Sequence, residues 1–262
     1  MEKLDLNAYR RGHSWRVEET GKSLFFIEAS LPNPSTGDMR HFLEVVDQYQ
    51  ERVRTALNIE PDSTKNSEMQ TKVMVWLYSP EPLEKAGLIG KPKMFYGAVN
   101  SAGVHLITRG LAWDAPEVLQ SVLHELVHHW WSIRVGEAPS LLNEGIAVYF
   151  ERILSTDVAE AVHEDLAQSW QGYAERAEPG FLRRLCNNDT FWRENEAGEP
   201  VYRIGGQVVS FLLDSHGLPI LQRIFLQSHF NDPNLPDHIE DAVGESIDSL
   251  EQQISAMARS NQ

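Results

Sequence analysis

Three things are scarce in this sequence: positive charge, cysteine and long apolar runs. It contains 38 Asp and Glu residues against 23 Lys and Arg residues, which gives a formal net charge of −15 at pH 7. Nucleic acids and anionic membranes bind clustered Lys and Arg, so we expect no nucleic acid and no membrane as a main partner. Because Cys186 is the single cysteine, an intrachain disulfide framework and a metal site built from several cysteines are both excluded.

The sequence also lacks the marks of membrane insertion and secretion. No apolar stretch reaches the roughly 18–20 residues of a membrane span. Residues 1–17 are polar and charged, without the apolar core of a signal peptide. We therefore expect a cytoplasmic protein, although a chain whose signal peptide had been removed would read the same way.

The chain does have enough apolar sequence for a buried core, since 42% of its 262 residues are hydrophobic. Up to residue 115, short apolar runs predict strands at 24–28, 73–78 and 104–108. Apolar residues at helical spacing predict an amphipathic helix over 38–57. We expect this part of the chain to form a small mixed β-sheet with one helix against it.

From residue 116 onward the apolar pattern is helical. The predicted helices span 117–135, 141–154, 157–177, 201–216, 218–230 and 246–258. Glycines lie near several of their ends, as is usual where helices stop. No linker rich in Pro, Gly or Ser separates the two parts of the chain. We therefore predict a single α+β domain over 1–262, with a mixed α/β lobe at 1–115 and a helical lobe at 116–262.

The most informative segment is 121–130, which reads SVLHELVHHW and contains His-Glu-x-x-His. On a helix, His124 and His128 lie one turn apart on the same face, so both imidazoles can bind one cation. Glu125 is rotated from His124 by about 100° and can lie beside the metal, where it can transfer protons without binding the ion. Zinc favours imidazole ligands in a tetrahedral site with one open position. The alternative is a structural protein in which this motif is accidental.

A third ligand follows on the next predicted helix. The run LLNEGIA at 141–147 places Glu144 16 positions after His128. Pro139 and Ser140 are a suitable helix start, with Ser140 as the N-cap. An isolated carboxylate on an apolar helix face is costly, and a cation would stabilise it. Two histidines and one glutamate form a catalytic zinc set, so we predict one Zn²⁺ per chain bound by His124, His128 and Glu144.

These segments resemble the gluzincin metallopeptidases, most closely the aminopeptidase-N and leukotriene-A4-hydrolase-like branch. The family pattern is His-Glu-x-x-His, followed by Trp-Leu-x-Glu-Gly-x-Ala-x-Tyr, and this chain has HELVHHW and LLNEGIAVYFE. The segment EPVYRIG at 199–205 resembles the family's Pro-Tyr-x-x-Gly, and GAVN at 97–100 lies where the family has Gly-Ala-Met-Glu-Asn. The resemblance covers residues 90–255 and is strongest at the candidate zinc ligands.

The resemblance implies a zincin-like fold with the active-site helix between the two lobes, and a zinc-dependent peptidase activity. His124, His128 and Glu144 match the zinc ligands, and Glu125 matches the general base and acid. Tyr202 matches the donor of a hydrogen bond to the oxyanion, with a core or surface tyrosine as the alternative. The strand at 104–108 would be the edge on which a peptide pairs by β-augmentation, unless it is an internal strand.

The departures from the family pattern narrow the expected activity. The spacing of 15 residues between His128 and Glu144 is shorter than the family's, and Leu141 stands in place of the tryptophan. The family's glutamate that binds a free amino group has no counterpart at 97–100. We therefore expect a minimal catalytic core that hydrolyses peptides or proteins, as an endopeptidase rather than an aminopeptidase. The alternative is a catalytically inactive zinc-binding module that binds a peptide or a protein partner.

Overall fold

The computed structural model describes residues 10, 12–31, 37–59, 72–79, 95–100, 103–108, 112–155 and 166–260. Only the backbone is described for Phe95, Tyr96, Asn100 and Thr108. The chain divides into two compact units, residues 1–129 and 130–262, and the division falls inside the helix Pro116–Val135. That all of the chain forms a single domain stays a prediction.

The first unit contains a five-stranded sheet. Its strands are β1 Trp15–Glu19, β2 Ser23–Glu28, β3 Val73–Tyr78, β4 Phe95–Asn100 and β5 Gly103–Thr108. In space they lie in the order β1-β2-β3-β5-β4. The three inner strands are parallel to one another, and the edge strands β1 and β4 are antiparallel to their neighbours. The predicted small mixed sheet in this part of the chain is therefore confirmed.

One face of the sheet forms the core of this unit. Phe25, Val75 and Val104 follow one another in register across β2, β3 and β5, and all three are fully buried. Phe42, from helix α1 Gly37–Ala56, contacts Phe25 with 6.2 Å between ring centroids. The residues of α1 that are buried recur at helical spacing, as the sequence predicts. They are Met39, Phe42, Val45, Val46, Tyr49, Gln50 and Val53.

The opposite face carries a row of rings. Phe26 stacks on Trp76 at 4.0 Å between centroids, and Trp76 stacks on His105 at 6.3 Å. The Tyr78 hydroxyl lies 2.7 Å from Nδ1 of His105. Burial lowers the pKa of His105 to about 3, and burial also raises the pKa of Tyr78. The imidazole is therefore neutral and the phenol protonated at pH 7, and one of the two groups donates the hydrogen bond to the other.

The prediction that residues 104–108 form an edge strand is wrong. β5 lies between β3 and β4, and β4 is the edge strand of the sheet that the described residues form. Asn100 pairs with Gly103, so only two residues connect β4 to β5, and β4 folds back along the outer side of β5. Gly103 has a φ of +113°, and a Cβ there would lie 2.1 Å from the backbone oxygen of Met74. Only glycine fits this turn.

The second unit is helical, as predicted. Helix α2 Pro116–Val135 spans the division between the units, and the structure then describes α3 Ser140–Leu154, α4 Leu166–Ala174, α5 Phe181–Leu185, α6 Asn188–Glu196, α7 Val201–His216, α8 Leu218–Gln227, α9 Leu235–Val243 and α10 Ile247–Ser260. The predicted helix at 157–177 falls partly outside the described residues, and its described part is α4. The helices α5, α6 and α9 were not predicted, because they have only five to nine residues.

Glycines end several of these helices, as expected. Gly136, Gly217 and Gly244 follow the last residues of α2, α7 and α9, with φ values of +98°, +79° and +82°. Positive φ values are favourable for glycine at the end of a helix. Among the described residues, no helix is both long enough and apolar enough to cross a membrane.

Candidate metal centre

The two histidines of the motif lie side by side on α2. His124 and His128 are one turn apart, and their Nε2 atoms are 3.1 Å from each other. The ring centroids are 4.8 Å apart, with the ring planes at 75°. Both side chains are partly buried. The helix therefore presents two imidazole nitrogens at one point, as the spacing predicts.

Glu144 of α3 completes a group of three. One ligand atom from each of His124, His128 and Glu144 lies within 4.8 Å of the others, and all three residues are partly buried. Glu144 belongs to the second turn of α3, in a stretch whose other side chains are mostly buried. Within the described part of the chain, this is the one such group of three that can hold a metal ion.

The distances fit a metal ion. At a tetrahedral zinc, with bonds of about 2.0–2.1 Å to nitrogen, neighbouring ligand atoms are roughly 3.3 Å apart. The 3.1 Å between the Nε2 atoms is close to this value, and a carboxylate oxygen of Glu144 lies within 4.8 Å of a ring nitrogen of each histidine. The 3.1 Å distance alone also fits a hydrogen bond between the two imidazoles. Because Glu144 adds a carboxylate to the pair, the group of three can hold a metal ion. Its donor atoms suit several divalent transition metals.

Glu125 lies next to the backbone of the edge strand β4. A Cβ on Gly97 would lie 2.5 Å from Oε1 of Glu125, 2.7 Å from its Cγ and 2.9 Å from its Cδ. Gly97 has no positive φ, so its backbone does not itself require glycine. A Cβ at this position would instead require the Glu125 side chain to move. Glu125 thus follows His124 directly in the sequence, and its carboxylate lies against the edge strand of the described sheet.

Helix α3 does not begin as the sequence predicts. Ser140 is the first residue of the helix rather than its N-cap, which is Pro139. Ser140 Oγ is buried and has no hydrogen-bond partner among the described residues. The backbone N–H of Ser140 instead donates to Oδ1 of Asn188, at 2.6 Å. A side chain from α6 therefore caps α3, and the serine hydroxyl does not.

Two glycines let α3 approach α7 closely. A Cβ on Gly145 would lie 2.5 Å from the backbone carbonyl atoms of Gly205, and a Cβ on Gly205 would lie 2.3 Å from the backbone oxygen of Leu141. Backbone atoms cannot move aside as a flexible side chain can. Gly145 directly follows Glu144, so α3 is packed against α7 at the residue next to the candidate ligand.

Tyr202 lies near the start of α7, one turn before Gly205. Its ring contacts Phe191 at 5.7 Å and Trp192 at 6.1 Å between centroids. The side chain is partly buried. The structure therefore places Tyr202 on the helix that crosses α3, within an aromatic cluster, and its role as an oxyanion donor stays a prediction.

Three aromatic or imidazole side chains, His129, Trp130 and Trp131, follow the second histidine. Trp131 is 1% exposed and packs against Phe225, which agrees with a core role. Trp130 is only partly buried. Burial lowers the pKa of His129 to about 4, so this imidazole is neutral at pH 7. His129 is not part of the group of three.

Two contacts at this site were not predicted from the sequence: Gly97 against Glu125, and Asn188 at the start of α3. A glycine inside a strand often marks a close approach by another group, so Gly97 had a readable signal. Asn188 had none, because its partner lies 48 residues away.

No model of a known protein family matches the chain, and no curated protein sequence matches it either. The resemblance to the gluzincins therefore rests on its short sequence motifs alone.

Proposed function

We propose that the chain is a zinc-dependent peptidase with a zincin-like fold. The observation that supports this proposal most is the convergence of His124, His128 and Glu144, whose ligand atoms lie within 4.8 Å of one another. Two imidazoles and one carboxylate leave one position open in a tetrahedral zinc site, which is the usual arrangement for catalysis. Zinc bound there would polarise a peptide carbonyl and make water acidic enough to lose a proton near neutral pH.

Glu125 is suited to handle that proton. It follows His124 directly but lies against Gly97, so its carboxylate has a place beside the ligands rather than among them. In the proposed reaction, Glu125 accepts the proton from the attacking water and later donates it to the amine that leaves. Tyr202 is the proposed donor to the oxyanion.

The edge strand β4 offers a place for the substrate backbone. In the described sheet, β4 pairs only with β5, so its other side can accept an extended peptide by strand addition. Gly97 of this strand touches Glu125, so a peptide paired with β4 would pass near the proposed base. Residues 97–100 contain no carboxylate that could bind a free amino group. We therefore favour hydrolysis inside a peptide over removal of its first residue.

The alternative is an inactive module that binds zinc and a peptide or a protein partner. Glu125 favours the enzyme, because neither zinc binding nor helix formation requires a carboxylate at this position. We further propose a cytoplasmic protein that acts on peptides or proteins.

The proposal can be tested with a mixed library of quenched fluorescent peptides whose amino termini are blocked. We expect the zinc-loaded protein to cleave some of these peptides, and Glu125→Gln to keep its zinc but lose activity by about 10²–10⁴-fold, the usual contribution of a general base. Cleavage at the wild-type rate by Glu125→Gln would contradict the role of the base. A zinc-loaded wild type that binds library peptides without cleaving them would favour the inactive module.

A further inference from the structure

The first turn of α3 has no cap from its own side chains. Its N-cap is Pro139, it has no acidic residue in the first turn, and the hydroxyl of Ser140 has no partner among the described residues. The first N–H groups of a helix have no acceptor inside the helix and need one from outside. Asn188 supplies it, because its Oδ1 accepts a hydrogen bond from the N–H of Ser140 at 2.6 Å.

The amide NH₂ group of Asn188 also forms hydrogen bonds. Nδ2 of Asn188 donates to Oδ1 of Asn231 at 3.0 Å and to the carbonyl oxygen of Phe230. One side chain thus joins the starts of α3 and α6 to the segment after α8. An amide can accept at one end and donate twice at the other, which neither a carboxylate nor an alanine can do.

Glu144 lies between this cap and a second restraint. It follows Ser140 by four residues and so lies above it on the same face of α3. The next residue, Gly145, is the one that packs against the backbone of Gly205. The helix is therefore held on both sides of Glu144.

We propose that Asn188 is a positioning residue for the metal centre: by capping α3 it orders the turn that presents Glu144 to the ion. This inference rests on the proposed zinc site and adds a residue that does not touch the metal. It predicts that Asn188 affects zinc affinity through Glu144 alone.

The first test compares Asn188→Ala with Asn187→Ala. Asn187 is the N-cap of α6, and its Oδ1 accepts from the N–H of Thr190 at 3.0 Å. Both variants therefore remove one asparagine cap at neighbouring positions, but only the first cap belongs to α3. The affinity for zinc alone is measured by competition with a chromophoric chelator. We expect Asn188→Ala to bind zinc about two- to thirty-fold more weakly than wild type, the range for one lost cap, and Asn187→Ala to match wild type.

The second test repeats Asn188→Ala in a Glu144→Ala background. If Asn188 acts by placing Glu144, its removal should change zinc affinity by less than about twofold once Glu144 is gone. A general loss of structure would instead weaken zinc binding by the same factor in both backgrounds, and this result would overturn the proposal.

Asn188→Asp serves as the conservative variant. Its carboxylate can still accept from Ser140 but cannot donate to Phe230 or Asn231. We expect zinc affinity within about threefold of wild type, with a lower melting temperature. The positioning role would be overturned if Asn188→Asp bound zinc as weakly as Asn188→Ala does. It would also be overturned if Asn188→Ala bound zinc as tightly as Asn187→Ala does. A wild type that binds no zinc would refute the proposed function itself, and the inference with it.

Discussion

Replacement of Gly97 by alanine tests the contact between β4 and the proposed base. The new Cβ would lie 2.5 Å from Oε1 of Glu125, so the carboxylate oxygen must move by about 0.9 Å to reach the ordinary contact distance of 3.4 Å. The Cγ and Cδ atoms, at 2.7 and 2.9 Å, must also move. The backbone of Gly97 suits alanine, because its φ is not positive. The side chain of Glu125 can therefore turn away without unfolding the sheet.

A shift of about 1 Å in a reacting group can lower a rate by about 100-fold. We expect Gly97→Ala to reduce kcat/KM by this order, measured on a blocked peptide that the wild type cleaves. Bound zinc, measured by elemental analysis, should stay at the wild-type level, because no ligand moves. Thermal unfolding should change little.

The matched control is Ala98→Gly, which changes the neighbouring residue of β4 without adding an atom near Glu125. It should keep most of the activity. A Gly97→Ala protein with wild-type kcat/KM would refute the reasoning, since the carboxylate would then not need its present position. Loss of zinc in Gly97→Ala would refute it in another way, because the damage would extend beyond Glu125.

Two further predictions concern stability. In a urea titration, Gly205→Ala should destabilise the protein by about 1–3 kcal/mol, since its Cβ would lie 2.3 Å from the backbone oxygen of Leu141. The control is Gly172→Ala in α4, whose Cβ would meet only an arginine side chain at 3.7 Å. This control should be neutral or stabilising in the same titration. Burial lowers the pKa of His105 to about 3 from 6.5, so between these pH values the unfolded chain binds a proton that the folded chain does not. Stability should therefore fall as pH drops from about 6.5 towards 3, by at most about 1.4 kcal/mol per pH unit from this residue. His105→Gln, which can still form a hydrogen bond with Tyr78 but does not titrate, should lose less stability than wild type between pH 7 and pH 5. An equal loss would contradict the role given to His105 in this pH dependence.

Much of the fold could be predicted because its elements have strong local patterns. The run at 73–78 is β3 with the same bounds, and 201–216 is α7 with the same bounds. Both segments are long and apolar enough for periodicity to identify them. β4 was missed because the glycine in its middle interrupts the pattern. The order of the strands was also missed, since local sequence does not show which of β4 and β5 lies at the edge.

The candidate site could likewise be predicted where it depends on local sequence, and not where it depends on contacts between distant residues. His124 and His128 could be paired from sequence, because four residues make one helical turn. Glu144 required the further assumption that the next helix returns to the same point, and the structure brings the three residues together. The cap of α3 could not be predicted, since Ser140 has the right chemistry for an N-cap but Asn188 supplies the hydrogen bond from a distant part of the sequence. Here a tertiary contact determines the cap, and the local preference of serine for the N-cap position does not.

The most direct test of the central claim is the zinc content of the purified protein, measured by elemental analysis after reconstitution with zinc and removal of the excess. We predict about one zinc per chain in the wild type and little in Glu144→Ala. The control is Glu151→Ala, the same substitution two turns later in α3, and it should keep its zinc. A wild type without zinc, or a Glu144→Ala protein that binds zinc as tightly as the wild type, would contradict the account.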